Sequence, residues 1–367
     1  MTKKKSSDFT LMLTVLTLVV IGIIMVFSSS HYYALSKMGD SYHFLKRELI
    51  WAGLGFVSML ATMNFNYKKY KKIAVIGYFF SLILLILVLT PLGIEYNGAK
   101  RWLGVGSITI MPGEISKICA IFFVASFLSQ KPERIKSFFY GVLPCLLIIG
   151  IYAALILKQP NLSTAMTIAV IIASMMFVTG MRWIHVAAMG FAGVAALILM
   201  IIAEPYRMRR LVGFLDPFSD PQDTGYQVIQ SLLALGSGGL FGVGLGKSVQ
   251  KYLYIPEPQN DFIFAVIGEE LGFVGCTTVI ILFLLLIWRG IRIAINAPDL
   301  FGCLIATGII TMVAVQVIIN IAVATSSMPV TGIPLPFISW GGNSLALFMA
   351  AMGVLLNISR HSKLDRS

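Results

Sequence analysis

Two carboxylates stand four residues apart in YIPEPQNDF, residues 254–262: Glu257 in a proline-broken loop, and Asp261 where that loop runs into a long apolar segment. An ionised side chain costs roughly 2.5–3.5 kcal/mol at the centre of a membrane helix and less near its ends, so one that persists there faces protein or water and marks a working site. Asp261 is therefore the leading candidate for chemistry, with Glu257 beside it in a ligand-contacting or positioning role. Glu269 lies eight residues past Asp261, about 12 Å of rise and roughly 80° around a helix, too far for a close acid pair. Glu269 and its neighbour Glu270 are expected to pair with a cation inside the protein instead.

Cations gather in segments flanking other apolar runs. Arg101 beside Trp102 in GAKRW either anchors at headgroup depth, where both residue types collect, or contacts an anionic headgroup. Lys158, in the short turn Lys158-Gln159-Pro160-Asn161, either snorkels to the interface or faces a negatively charged ligand. Arg207, Arg209 and Arg210 crowd the end of a further run, a composition suited to phosphate. Glu114 and Lys117, three residues apart at a helix start, share a face and form either a buried structural pair or part of a substrate site.

The segment PVTGIPLPFISWGGNS, residues 329–344, has prolines that fix backbone angles and glycines that permit tight bends. It reads as a re-entrant wall of the site, with Ser339 supporting and Asn343 or Ser344 capping the next helix. The dispersed His31, His43, His185 and His361 offer neither a metal centre nor a triad, and Cys119, Cys145, Cys276 and Cys303 have no disulfide or zinc spacing. Gly246-Lys247-Ser248 lacks the strand and upstream glycine of a nucleotide loop. The glycines of residues 236–246 read instead as a bent loop whose amides face an anionic headgroup.

The elements that must position these residues are membrane helices. Of 367 residues 57% are hydrophobic and 12% charged, and the mean hydropathy is +0.87, a composition of membrane-embedded chains. About ten apolar runs long enough to span a bilayer occur, near residues 10–30, 49–63, 73–92, 115–128, 138–157, 162–179, 184–203, 262–288, 301–325 and 344–358. Lys3 to Lys5, Lys68, Lys69, Lys71, Lys72, Lys131, Arg134, Lys136, Arg182, Arg289, Arg292, Arg360, Lys363 and Arg366 fall in alternate short connections. The positive-inside rule then places both termini in the cytoplasm and Asp261 on the outer face. This topology accounts for the net charge of +12 without nucleic acid. The reading is an all-α polytopic protein of the cytoplasmic membrane, one domain over residues 1–367. A long extracytoplasmic loop, residues 204–260, joins helices seven and eight and holds a short amphipathic helix that lies on the membrane or caps a cavity.

The ordered motifs GAKRWLG, PGEISK, KQPNLST, PYRMRRLVGFLDPFSDP, GYQVIQSLLALGSGGLFGVGLGKS, PEPQNDFIFAVIGEELGFVG and PVTGIPLPFISWGGNSL cover nearly the whole chain. In them the sequence resembles the SEDS family of peptidoglycan polymerases (FtsW, RodA and SpoVE), with closest likeness to the FtsW and SpoVE branch of sporulation type. The resemblance implies a ten-helix glycosyltransferase that polymerises lipid II outside the membrane, for division, shape or the spore. Asp261 falls on the family's proposed catalytic aspartate, which would act as general base. Arg101, Lys117, Lys158, Arg209 and Arg210 would stabilise the lipid diphosphate. A divalent cation, Mg or Mn, is compatible with that diphosphate but not required by any motif. The implied partner is a class B penicillin-binding protein that cross-links the strands, since this chain has no SxxK, SxN and KTG set. Where many relatives carry aspartate and threonine, this chain has Asn161 and Asn260. A lipid II flippase and a scaffold recruiting a transpeptidase are the alternative functions.

Overall fold

The computed structural model describes residues 6–96, 98–105, 108–251 and 254–362. Lys3 to Lys5, Lys363 and Arg366, used above for orientation, lie outside the described residues. The chain is mostly helical. In order run α1 (Phe9–Met38), α2 (His43–Asn64), α3 (Tyr70–Leu89), α4 (Pro112–Gln130), α5 (Leu143–Leu157), α6 (Leu162–Val178), α7 (Trp183–Ile202), α8 (Pro205–Leu215), α9 (Tyr226–Ser237), α10 (Ile263–Ile295), α11 (Leu300–Ala324) and α12 (Asn343–His361). Among the described residues, eight helical segments are long and apolar enough to cross a membrane. The other two runs read as spans are α6, a shorter apolar helix, and α2, whose first turns carry Lys46, Arg47 and Glu48. Between α3 and α4 lies a small antiparallel sheet, β1 (Gly93–Tyr96), β2 (Ala99–Val105) and β3 (Ile108–Ile110), which no hydrophobic periodicity announces.

Several helix starts use the expected chemistry. Asp8, Asn161 and Asp299 accept amide hydrogens from Leu11, Thr164 and Gly302 at the starts of α1, α6 and α11, satisfying donors that a helix leaves orphaned. The start of α12 differs. Its N-cap is Gly342, without a side-chain hydrogen bond, so neither Asn343 nor Ser344 caps it.

Packing between the long helices relies on small residues and hydroxyls, as expected where lipid removes the hydrophobic drive between helices. Gly55 of α2 seats against Ala346 and Met349 of α12, and Gly353 of α12 seats against Met59 and Thr62. Ser58 and Thr62 donate to the Ala346 and Ala350 carbonyls. Gly308 of α11 fits between Ile121 and Met175. At the end opposite Asp261, the Arg289 guanidinium binds Asp8 at 2.6 Å, and the Asp8 amide donates to Ser359. The start of α1 is thereby tied to α10 and α12. By contrast, α7 buries none of its residues.

The 33-residue α10 is broken at Gly272, whose φ of 67° and ψ of −164° are non-helical. The glycine-rich segment after α9 repairs the break. Val243 and Gly244 donate to the Glu269 and Glu270 carbonyls, and Phe273 and Val274 donate back to Gly239 and Leu240. The Val243 and Gly244 amides, part of the set expected to face an anionic headgroup, are thus spent on the helix itself. A helix interrupted in a membrane must be repaired by protein, since lipid offers no hydrogen bonds. A Cβ at Gly272 would lie 2.3 Å from the Gly242 nitrogen. Gly272→Ala is therefore expected to destabilise the protein by at least about 1–3 kcal/mol from backbone strain alone. Thermal unfolding in detergent checks this against Gly190→Ala, where a Cβ meets nothing within 4 Å and stability is expected to hold or rise.

Candidate functional site

Asp261 sits just before α10, at the mouth of the bundle called outer after the charge pattern. Its backbone is gripped from two sides. The Asn320 side-chain amide of α11 donates to the Asp261 carbonyl and to the Ile333 carbonyl, both at 2.9 Å. One amide therefore ties the helix mouth to the proline-rich wall. Ser339 Oγ donates to the Asn260 carbonyl at 2.6 Å and accepts the Leu335 amide, while the Trp340 amide donates to the Gln259 carbonyl at 2.9 Å. Ser339 thus holds backbone rather than ligand. Gly332 stands at φ of 73°, a conformation that favours glycine, and a Cβ there would only come into ordinary contact with Asp261 Oδ2, at 3.4 Å.

Three charged residues shape the electrostatics at Asp261. Arg101 leaves β2 and donates to the Gln159 and Pro160 carbonyls between α5 and α6. Arg210 of α8 donates to the Val330 carbonyl and lies over the Tyr206 ring. Glu257 stands at φ of 46° and accepts from Tyr96 Oη and Asn260 Nδ2, each at 2.7 Å. Burial and then Glu257 push the Asp261 carboxyl up to about 6, against the opposing pull of Arg210 and Arg101. Burial also lowers the pKa of Arg101. The hydrogen bond to Glu257, followed by burial, raises the Tyr96 phenol to about 12. Tyr96 therefore stays a donor throughout the physiological range.

Other residues singled out from the sequence do not join this group. Lys117 and Glu114 are buried and bonded to each other at 2.6 Å, and the Lys117 ammonium also lies over the Phe348 ring. Its charge is spent inside the protein rather than offered to a ligand. Lys158 is exposed just after α5. Arg209 lines a separate groove of about 550 Å³ with Met208, Asp220 and Asp223. Glu269 and Glu270 are structural: Glu270 pairs with Lys251 at 2.9 Å and accepts from Ser28, while Glu269 accepts from Ser248 and the Val249 amide. Asn161 caps α6, and Asn260 serves Glu257. The amphipathic helix α9 packs on α10 and α11, its Ser231 donating to the Ala324 carbonyl.

Three contributors escaped the sequence reading. Asn320 carried a usable signal, being an amide inside an otherwise apolar helix. Tyr96 and Gly332 carried none, because each matters only through a partner distant in the chain. The buried Glu114–Lys117 pair yields a direct test. Removing one partner strands a buried charge, at a cost on the order of 3–5 kcal/mol. Lys117→Met is expected to lower the unfolding temperature sharply, and Glu114→Gln combined with Lys117→Met to recover most of it.

The chain matches the FtsW/RodA/SpoVE family, described as cell cycle protein, over residues 9–364. It is 47% identical over 366 residues to stage V sporulation protein E of Bacillus subtilis, covering 99% of both chains. It is 41% identical over 358 residues to a probable peptidoglycan glycosyltransferase FtsW of Trichlorobacter lovleyi, covering 97% of this chain and 94% of the relative. Among solved structures, a chain of a peptidoglycan synthase complex that coordinates polymerization and crosslinking superposes with a TM-score of 0.81 at 30% identity, covering 98% of this chain and 99% of that one. The rod shape determining protein RodA of Thermus thermophilus superposes with a TM-score of 0.73 at 28% identity, covering 98% of each.

Proposed function

The chain belongs to the FtsW/RodA/SpoVE family of cell cycle proteins, and from that membership we propose a multi-pass membrane peptidoglycan glycosyltransferase that polymerises lipid II with Asp261 as general base. The observation that carries the assignment of the base is the carboxylate of Asp261 at the outer helix mouth, its pKa brought to about 6. A base works best when its pKa lies near the operating pH. In the reaction, the 4-hydroxyl of one lipid-linked sugar attacks the anomeric carbon of another. The new glycosidic bond forms as the bond to the lipid diphosphate breaks, and the hydroxyl proton passes to Asp261.

Arg101 and Arg210, the cations that act on Asp261, are in place to stabilise the charge that develops on the departing diphosphate. Lys158 and Arg209 are assigned a weaker part in drawing the anionic substrate toward the membrane face. Lys117 is left out of the substrate set because Glu114 neutralises it. Glu257 is a positioning residue that also lifts the Asp261 pKa. Both Glu257 oxygens are engaged, and the described residues hold no cluster of three metal-ligating side chains. A Mg or Mn ion carried in on the diphosphate would take its ligands mostly from phosphate oxygens and water, and no step proposed here depends on it.

The partner we propose is a class B penicillin-binding protein that cross-links the nascent strands. The likeness to a polypeptide of a polymerizing and crosslinking complex supports it. The flippase alternative draws on the broken α10, since interrupted helices line transporter sites. Here, however, the break is mended by backbone hydrogen bonds from Val243 and Gly244 to the Glu269 and Glu270 carbonyls, which supports a structural role for it.

Glycan synthesis from purified lipid II, with and without the partner, tests the reading. Asp261→Asn is expected to reduce polymer formation by about 10²–10⁴, and full activity in a folded D261N protein would sink the assignment. The wild-type rate should fall as pH drops through about 6, because Asp261 must be ionised to accept the proton. Glu257→Gln should move that limb to lower pH and Arg210→Gln to higher pH, following the sign of each charge at Asp261. Limbs that do not move would separate the profile from this carboxylate.

A further inference from the structure

Glu48 of α2 is completely buried, and neither of its carboxylate oxygens has a hydrogen-bond partner in the protein. The other buried acids are engaged: Asp8 by Arg289, Glu114 by Lys117, Glu269 by Ser248 and Glu270 by Lys251. A buried carboxyl group without donors carries its whole desolvation cost uncompensated. An acid kept under those terms within a membrane bundle is a functional candidate.

Register shows what Glu48 faces. On a helical wheel, position 48 falls between positions 55 and 59, roughly 20° from each. Gly55 packs on Ala346 and Met349, and the Met59 carbonyl meets Gly353, so this is the stripe of α2 that covers α12. The contacts advance together along both helices, which therefore run parallel. Moving back from the Gly55–Ala346 contact by one turn of α2 reaches the level where α12 begins, and a second turn reaches Glu48, opposite the end of the wall segment that leads into α12.

Two contacts bracket Glu48 at that level. The Phe44 ring, one turn before it, meets Trp340 edge-on at 5.0 Å. Trp51, about one turn after it, lies 3.4 Å from where a Cβ would stand on Gly342. Along the bracketed segment, Trp340 Nε1 and both polar atoms of the Asn343 side chain are also buried without partners. Gly342 gives α12 no side-chain cap, although a helix start presents orphan amides and a partial positive charge. Unused donors on the wall and unused carboxylate oxygens on α2 thus lie along one helix interface without being bonded to each other.

We propose that Glu48 is a positioning residue: by a rotation of its side chain from α2 it supplies the acceptor that Trp340 and the start of α12 lack, and so holds the wall segment against the helix mouth. The same segment grips the backbone just before Asp261 through Ser339 and Trp340. Glu48 thus acts on the site through the wall, without touching substrate. Only the consequence for turnover rests on the polymerase reading.

Amide hydrogen exchange and kinetics on the full chain in lipid nanodiscs test the proposal. Glu48→Gln keeps the shape and an acceptor oxygen, whereas Glu48→Leu keeps only volume. In E48L, exchange across residues 339–346 is expected to quicken about tenfold or more while residues 350–358 stay unchanged, and E48Q should remain within about twofold of wild type. In the lipid II assay, E48L should lose about tenfold or more in kcat with KM steady, and E48Q should retain at least about half of kcat. Unchanged exchange at residues 339–346 in E48L overturns the proposal, as does an E48Q protein that exchanges as fast as E48L or fails to fold. Should E48L itself fail to fold, Glu48→Met carries the same expectations and the same refuting outcome. A wild-type protein that makes no polymer refutes the polymerase reading instead, and the exchange data still decide the role of Glu48.

Discussion

A helix interrupted inside a membrane has to find hydrogen bonds in protein, and the break at Gly272 of α10 imposes that condition on everything around the outer mouth. The segment after α9 meets it by running its own amides and carbonyls along residues 269–274. Once that backbone is committed, the chain that follows is fixed in place. Ser248, Val249 and Lys251 bind Glu269 and Glu270 directly, and Ser28 of α1 closes the cluster. The loop that carries Glu257 and Asp261 leaves from this anchored point. The two glutamates are therefore part of what places the catalytic candidate, although neither is near enough to share its chemistry.

The Asp261 carboxylate is tuned by a balance rather than by one neighbour. Burial alone favours the protonated form, Glu257 adds to that, and Arg101 and Arg210 oppose it. Each of these three is itself held through backbone or hydroxyl contacts: Arg101 by the Gln159 and Pro160 carbonyls, Arg210 by the Val330 carbonyl, and Glu257 by Tyr96 and Asn260. None is paired directly with Asp261 by a salt bridge among the described residues. Had an arginine been bonded to the carboxylate, its basicity would have been lost and the positive charge neutralised. Separated, they leave a carboxyl that titrates near 6, as the proposed base requires, and cations whose charge is not neutralised by it.

Hydropathy made the membrane class legible, because burying twenty apolar residues in lipid is a signal that sums along a segment. Asp261 was legible for the converse reason, being a charge where charge is expensive. Other residues looked alike in sequence and separated only in three dimensions. Lys117 and Arg101 both read as cations near the outer face, yet one is neutralised by the residue a turn before it and the other reaches across to α5. The glycines of residues 236–246 predicted a bent backbone correctly, but not that the bend would be spent mending another helix. The small sheet at residues 93–110 was invisible because its short strands lack alternation, and with it went Tyr96. Asn343 looked like a cap by residue type, but capping depends on local dihedrals, which Gly342 sets at φ of 51°.

The wall at residues 329–342 joins these threads, because several elements of the bundle are bonded to it at once. Asn320 ties it to α11, Arg210 ties it to α8, and Ser163 of α6 ties it through the Thr331 carbonyl. Its far end meets α2 at Phe44 and Trp51. Most of these bonds end on wall carbonyls, which proline-rich chain leaves free because it forms no regular ladder of its own. Rigidity at Asp261 is thus borrowed from several helices through a segment that is itself neither helix nor strand. Side-chain exchange at the ends of those bonds alters how firmly the wall is held without altering its backbone. A site built this way keeps its geometry through the wall rather than through peripheral helices such as α7, which buries none of its residues and packs only its half-buried Val186 and Met189 on the core.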